Sequence, residues 1–349
     1  TAPYGIRGAN GVIIVTTRRG QTGAPKVNLS MNYGFTSASS LQKGTSAYEY
    51  ALMRNEAIRH DQRSFSGTES LSTYIYDDYD LWKFRNNRDY TPVELDARGD
   101  LTAAQKELLK NQPALYYASR DLYKEMFDRV APQMQINLNV SGGTERVKYF
   151  VSFGYFSQQG ITTDIRYYDA DTGSNFNRYN FRSNFDIQVA KNFKVSVNVA
   201  GQFGKSQGLG SGSDPYDLSS RYKGIMQYIY DANPFISPGM IDGHLIEGFA
   251  GVAGTEQNPL ANKTASTIGN QNAIVSLLRA GTNSIFNSLL DNTIKLEHTM
   301  DYLLEGLRVY GTVNYQDNYN RIVKYTPSIP TYTVQRNPTD PTRLDFFGG

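Results

Sequence analysis

The chain of 349 residues carries 35 basic and 33 acidic side chains scattered along its length, a net charge of +2 that implies neither a nucleic-acid-binding stripe nor an acidic tail. It contains no cysteine, which excludes disulfide scaffolds, cysteine nucleophiles and thiolate metal sites and is compatible with an oxidising compartment. With 26 Tyr and 17 Phe against the single Trp82 it is rich in rings that suit strands and membrane interfaces, and no run approaches the about 18 apolar residues of a transmembrane helix.

At the start, Tyr4 to Thr17 (YGIRGANGVIIVTT) places Gly5, Gly8 and Gly11 three apart before the β-branched run Val12 to Thr17. Glycines so spaced permit tight turns and close backbone approach. A phosphate-binding loop would have to open a helix, and a strand follows instead. The GKS at Gly204 to Ser206 fails as a P-loop because Val199 stands where its first glycine is required.

Val27, Leu29, Met31, Tyr33 and Phe35 then alternate with polar or small residues, which predicts an amphipathic strand. From Ser37 to Pro132 the pattern changes. Ser46 and Glu49 form a capping box that predicts a helix of about three turns, and Thr102 with Gln105 repeats the device. Tyr- and Asp-rich stretches such as Tyr74 to Tyr79 lie between them, so the whole reads as an elaborated loop with short helices.

Four strands follow in a row. Ile136, Leu138 and Val140 share one face; after Gly142 and Gly143 the parity switches, and Val147, Tyr149, Val151, Phe153 and Tyr155 share a face. On that strand Phe150 and Phe156 interrupt an otherwise polar side. Tyr179, Phe181, Phe185, Ile187 and Val189 alternate with Asn180, Arg182, Asn184, Asp186 and Gln188, and Phe193, Val195, Val197 and Val199 with Lys194, Ser196 and Asn198. A helix would space its apolar residues three and four apart, so this period of two predicts half-buried antiparallel strands. A second long segment, Lys205 to about Ile285, places Asp214 and Pro215 as N-cap and first helical residue. Two more strands are predicted around Leu290 to Met300 and Leu307 to Tyr315, about seven in all, and no terminal element is evident at Asp345-Phe346-Phe347.

The predicted connections alternate between short and long, as in outer-membrane barrels with tight turns on one rim and long extracellular loops on the other. The fold class expected is all-β, a partial transmembrane antiparallel barrel with apolar residues facing outward. The mean hydropathy of −0.50 does not oppose this, because a barrel strand hides half its residues from lipid.

Little here points to catalysis. His60, His244 and His298 are far apart and form no metal-spaced pattern, no GxSxG elbow occurs, and the carboxylates show no glycosidase-like pairing. Neither an enzyme nor a cofactor is expected. Asp169, Asp171, Gly173 and Asn175 make an oxygen-rich stretch that would suit calcium only faintly, and Asx-turn chemistry explains it more simply. Tyr74, Tyr76, Tyr79, Tyr228 and Tyr230 are candidates to stack on sugar rings, line a peptide groove or pack the loops together.

Three stretches carry a resemblance to the SusC/RagA type of TonB-dependent outer-membrane transporters. YGIRGANGVIIVTTRRG (Tyr4 to Gly20) looks like the end of the plug domain. VSGGTERVKYFVSFGYFSQQGI (Val140 to Ile161), followed by RYNFRSNFDIQVAKNFKVSVNVAG, looks like that family's early hairpins. ANPFISP, NPLA and EGLRVYGTVNY are similar in order and spacing. The resemblance implies that residues 1–20 end the plug, with Tyr4, Gly5, Arg7, Gly8 and Gly11 as its closing motif, and that residues 21–349 begin the barrel, about seven of the 22 strands of such transporters. The signal peptide, TonB box, most of the plug and the later strands would lie elsewhere. It further implies a multi-pass protein of the cell outer membrane that imports an oligosaccharide or oligopeptide, with TonB, a SusD-like surface lipoprotein and outer-membrane lipid as partners and no nucleic acid. The alternatives are a non-transporting barrel serving as adhesin or structural protein and, more distantly, a soluble carbohydrate-binding β-sandwich.

Overall fold

The computed structural model describes residues 17–64, 75–128, 130–210, 238–252, 254–257 and 272–348, with 223–224, 226–227, 229–230, 232–235 and 259–260. It begins with strand β1 (Gly23–Thr36), followed by helices α1 (Ala47–Ser64), α2 (Asp78–Asn86), α3 (Pro92–Ala97), α4 (Ala103–Asn111) and α5 (Leu122–Met126). Next come β2 (Ala131–Gly143), β3 (Val147–Gln159), the short pair β4 (Arg166–Tyr167) and β5 (Ala170–Asp171), β6 (Asn175–Ala190) and β7 (Phe193–Leu209). The rest comprises β8 (Met240–Ile241), β9 (His244–Phe249), α6 (Ala273–Ala280), β10 (Thr282–Thr299), β11 (Arg308–Tyr325), β12 (Tyr332–Arg336) and β13 (Leu344–Gly348).

Seven strands form one antiparallel sheet in the order β1-β2-β3-β6-β7-β10-β11, so each neighbour in the sheet is the next long strand in the chain. This is the expected partial barrel wall, and β1 and β11 are its edges among the described residues. Residues 144–146, 191–192 and 300–307 make the turns on one rim, whereas residues 37–130, 160–174 and 210–281 connect strands across the other. Local chemistry closes the tight turns: Thr144 Oγ1 accepts from Val147 N at 3.2 Å, and Asp301 Oδ1 accepts from Gly306 N at 2.9 Å, where Gly306 holds a φ of +80°.

The strands are longer than their periodic runs suggested, 16 residues in β6, 17 in β7 and 18 in β10 and β11. About 9–11 residues suffice to cross a bilayer, so they project past it on the long-loop side. Register fixes the faces. Leu29, Leu138, Phe153, Phe181 and Leu290 share one side, as do Val147, Ile187, Val195 and Leu296, while Asn137, Asn180, Asn184, Ser196 and Asn198 share the other. Burial runs opposite to that of a water-soluble core. Leu29, Phe153, Ile294 and Leu296 are exposed at 66, 44, 48 and 45%, whereas Asn184 and Ser196 on the polar face are exposed at 3 and 6%. Among the described residues no second sheet covers the apolar side, as a sandwich would require.

Aromatic rings mark the height of the apolar face. Tyr155 meets Tyr179, Phe181 stacks on Phe203, and Phe203 on Phe286, which in turn contacts Tyr319, a row across five strands. On β7 the apolar face runs from Phe193 to Phe203, roughly 33 Å of strand at about 3.3 Å per residue; tilted by about 45°, that spans about 23 Å, close to the ~25 Å apolar band of outer-membrane barrels.

The long connections fold into a cap on one rim with two apolar cores of their own. One joins Leu122, Met126, Tyr167, Leu209, Leu245 and the buried side of α6. The other joins Ala47, Ala51, Tyr76, Phe84, Tyr116, Tyr117, Phe235, Ile246 and Val334. The capping boxes expected at Ser46–Glu49 and Thr102–Gln105 are both formed, and two more start α2 (Asp77–Asp80) and α3 (Thr91–Glu94). Two expectations need correction. The chain end has structure: β12 pairs with β13 and, in parallel, with β9, completing a four-stranded sheet with β8. The second long segment also contains α6, whose AIVSLLRA sequence gathers Ile274, Val275, Leu277 and Leu278 on one buried face, but at eight residues it is too short for a helical period to stand out in the sequence. Asp214 and Pro215 lie outside the described residues.

Candidate functional site

The polar face of the barrel wall is the candidate site, and the residues leading into β1 are docked on it. Asn184, on β6, donates through Nδ2 to the Arg18 carbonyl at 2.7 Å and to Thr17 Oγ1 at 3.5 Å. Two positions on, Asp186 accepts from Arg19 Nη1 at 2.7 Å and from Ser196 Oγ at 2.6 Å, with Lys194 Nζ 3.6 Å away. Gly20 crosses β3 so closely that a Cβ there would lie 2.3 Å from Tyr149 N. Only glycine tolerates that approach.

Two cavities of about 520 and 550 Å³ flank this segment, and Arg18, Asn139 and Phe150 border both. Phe150, an exception to the polar alternation, is 8% exposed here, so its ring serves as a local apolar footing under the docked segment. Around the first cavity stand Ser152, Asn180, Arg182 and Gln202, hydrogen-bonding groups of mixed donor and acceptor character. Such a wall can hydrogen-bond polar solutes, and among the described residues bordering it no nucleophile–base pair is present. Among the described residues no group of three or more His, Asp or Glu side chains converges on a metal-sized space.

The stretch weighed for calcium is dispersed. The Tyr325 hydroxyl donates to Asp169, Asp171 Oδ1 accepts from Gly173 N at 2.6 Å, and Asn175 Oδ1 accepts from Asn177 Nδ2 at 3.4 Å. The second contact is an Asx turn, as expected. Beside it the Arg166 guanidinium holds the Asp164 carboxyl below its usual range, while burial, helped by a hydrogen bond with Asp164, pushes Asp171 up.

Of the loop tyrosines, Tyr76 is a core residue, 2% exposed and edge-on to Phe84 and Phe235. Tyr79 and Tyr230 are exposed at 51 and 79% and remain available to a ligand. Tyr74 and Tyr228 lie outside the described residues, as do Tyr4, Gly5, Arg7, Gly8 and Gly11 of the plug-end motif. Sequence reasoning did not find the Arg19–Asp186 pair, because 167 residues separate the partners. The available signal was that Asp186 and Lys194 both sit on the face that should be water-accessible.

A single antiparallel meander with an apolar outer face, a polar inner face and all its tight turns on one rim defines an outer-membrane-type β-barrel, of which this chain supplies seven strands. Comparison with known proteins agrees. No family model matches the chain. TonB-dependent receptor P3 of Formosa agariphila is 25% identical over 201 residues, 58% of this chain and 14% of that protein. TonB-dependent receptor P39 of the same organism is 24% identical over 232 residues, 66% of this chain and 17% of that protein. In fold, the chain is similar to the RagAB peptide importer in its closed-closed state (TM-score 0.50, 17% identity) and its open-open state (TM-score 0.52, 18% identity), covering 97% of this chain and 32% of the matched chain in each case. The chain thus resembles TonB-dependent receptors in sequence and the RagAB importer in fold, and the matched stretches cover less than a fifth of the curated relatives' length.

Proposed function

We propose that this chain is the first part of the barrel of a TonB-dependent outer-membrane transporter that imports an oligosaccharide or oligopeptide. The inverted seven-stranded wall carries this reading, supported by relatives that are TonB-dependent receptors. Residues 1–20 close the plug, with Tyr4, Gly5, Arg7, Gly8 and Gly11 as its last motif, and residues 21–349 open the barrel. The capped rim faces outward, where a SusD-like lipoprotein engages it and where Tyr79 and Tyr230 are exposed. TonB acts from the opposite side through a segment upstream of this chain. The fold likeness to a peptide importer favours oligopeptides as the cargo to test first.

Deletion of the full gene should abolish growth on a peptide digest or on an oligosaccharide mixture as sole nutrient, and loss of TonB should reproduce the defect. Growth of the deletion strain at the parental rate on both would instead favour the adhesin or structural reading. Orientation is tested separately, and this stretch adds no cysteine of its own to the labelling background. Cysteines placed at Lys110 and Tyr230 should react with a membrane-impermeant maleimide on intact cells, and those at Glu145 and Lys191 only after the outer membrane is opened. Reaction at Lys191 on intact cells would reverse the assigned sidedness.

A further inference from the structure

We propose that residues 17–20 are a clamp that isolates the first barrel strand from tension in the chain ahead of it, with Asn184 and Asp186 as its positioning residues. The inference rests on reading the chain as a barrel whose plug lies upstream. β1 is the first strand of the wall, paired with β2 on one side, and the segment ahead of it enters at one end of that ladder. The strand's first residue, Gly23, pairs with Gly143 at the short-turn rim. A pull on the preceding chain would therefore meet the β1–β2 hydrogen bonds one after another from that end, the geometry in which a strand peels most easily.

The residues before Gly23 interrupt that path. Arg18 is held through its carbonyl by Asn184, Arg19 through its guanidinium by Asp186, and Gly20 is seated on the β3 backbone at Tyr149. Their partners sit on two strands inward of the β1–β2 pair, so the segment runs across the sheet. From β3, where the Gly20 backbone is seated, to β1 is two strand spacings, about 10 Å, and the three residue steps from Gly20 to Gly23 reach at most about 11 Å. The segment thus has little slack. Tension arriving at Thr17 falls on a buried amide, a charge-assisted pair and a close-packed glycine before it reaches Gly23. Asn184 is 3% exposed, so water does not readily replace its bond to the Arg18 carbonyl, whereas the charge-assisted Arg19–Asp186 pair is more open, its side chains exposed at 40 and 11%.

Single-molecule force spectroscopy on the full-length protein in lipid, pulled from its N-terminus, tests the clamp without any use of import. That separates its failure from failure of the transport reading. The native protein should show a force peak about 1–2 nm in contour length ahead of the release of β1, given about 0.35 nm per residue. Arg19→Ala leaves the barrel wall untouched and should lower that peak at least twofold. Asn184→Ala with Asp186→Ala should abolish it while the later strand peaks persist, and Asp186→Glu, which keeps the carboxylate, should retain it. A native trace without the peak, or an Arg19→Ala trace with the peak unchanged, overturns the proposal.

Discussion

Arginine in place of Val197 is expected to cost about 2–4 kcal/mol of folding stability, while arginine in place of Asn198 costs about 1 kcal/mol or less. The difference follows from the register. Val197 lies level with Phe185 and Ile294 on the apolar face, and Ile294 with Val313. Five residues either side of Asn198 reach Phe193 and Phe203, which bound the apolar band, so Val197 and Asn198 are both near the bilayer midplane but on opposite faces. A guanidinium at 197 enters hydrocarbon; at 198 it enters the polar interior beside Asn184 and Thr293. Equilibrium unfolding of the full-length protein in lipid vesicles should show the gap. Tryptophan at position 197 should also be strongly quenched by brominated lipid, and at 198 only weakly. Equal quenching at both positions would refute the face assignment for β7.

The second large effect is expected in the cap. Asp89 and Arg336 are each 2% exposed in their side chains and form an ion pair between the first long loop and the last described hairpin. Every part of it is partnered. Asp89 accepts from the backbone N–H groups of Leu115, Tyr116 and Tyr117 at 2.8, 2.8 and 3.2 Å, and Arg336 donates to Gln112 Oε1 and the Pro341 carbonyl at 2.8 and 2.9 Å. Asp89→Ala would leave a buried guanidinium and three amides short of a partner, a loss of about 3–5 kcal/mol to the cap. Arg336→Met combined with Asp89→Leu should recover part of it, because two apolar side chains leave no stranded charge. Hydrogen exchange at Leu115–Tyr117 should accelerate in Asp89→Ala while the β6 and β7 amides remain protected. Unchanged exchange there would show that the pair contributes little.

The barrel wall was legible because its chemistry is local. A strand with lipid on one side and water on the other must alternate, and the runs around Val147–Tyr155 and Phe193–Val199 state both the strand and its faces without reference to any neighbour. Strand ends were not legible. β6 continues through Asn175, Asn177 and Arg178 beyond the bilayer, where solvent on both sides removes the pattern. The helix α6 escaped because its eight residues make little more than two turns, too few to tell a 3.6-residue period from a short apolar run.

By itself, then, the sequence determined the inverted wall, its seven strands, its meander order and the rim that bears the long loops, since each follows from period-two alternation and from connection length. Only the tertiary structure decided which distant groups meet. Arg19 and Asp186 are 167 residues apart and Asp89 and Arg336 are 247 apart. Each of these four is an ordinary charged residue in its own stretch. Their pairing depends on where the loops and the segment before β1 come to rest, and that is set by the two apolar cores of the cap and by the close seat of Gly20 on β3, neither of which leaves a periodic trace in the chain.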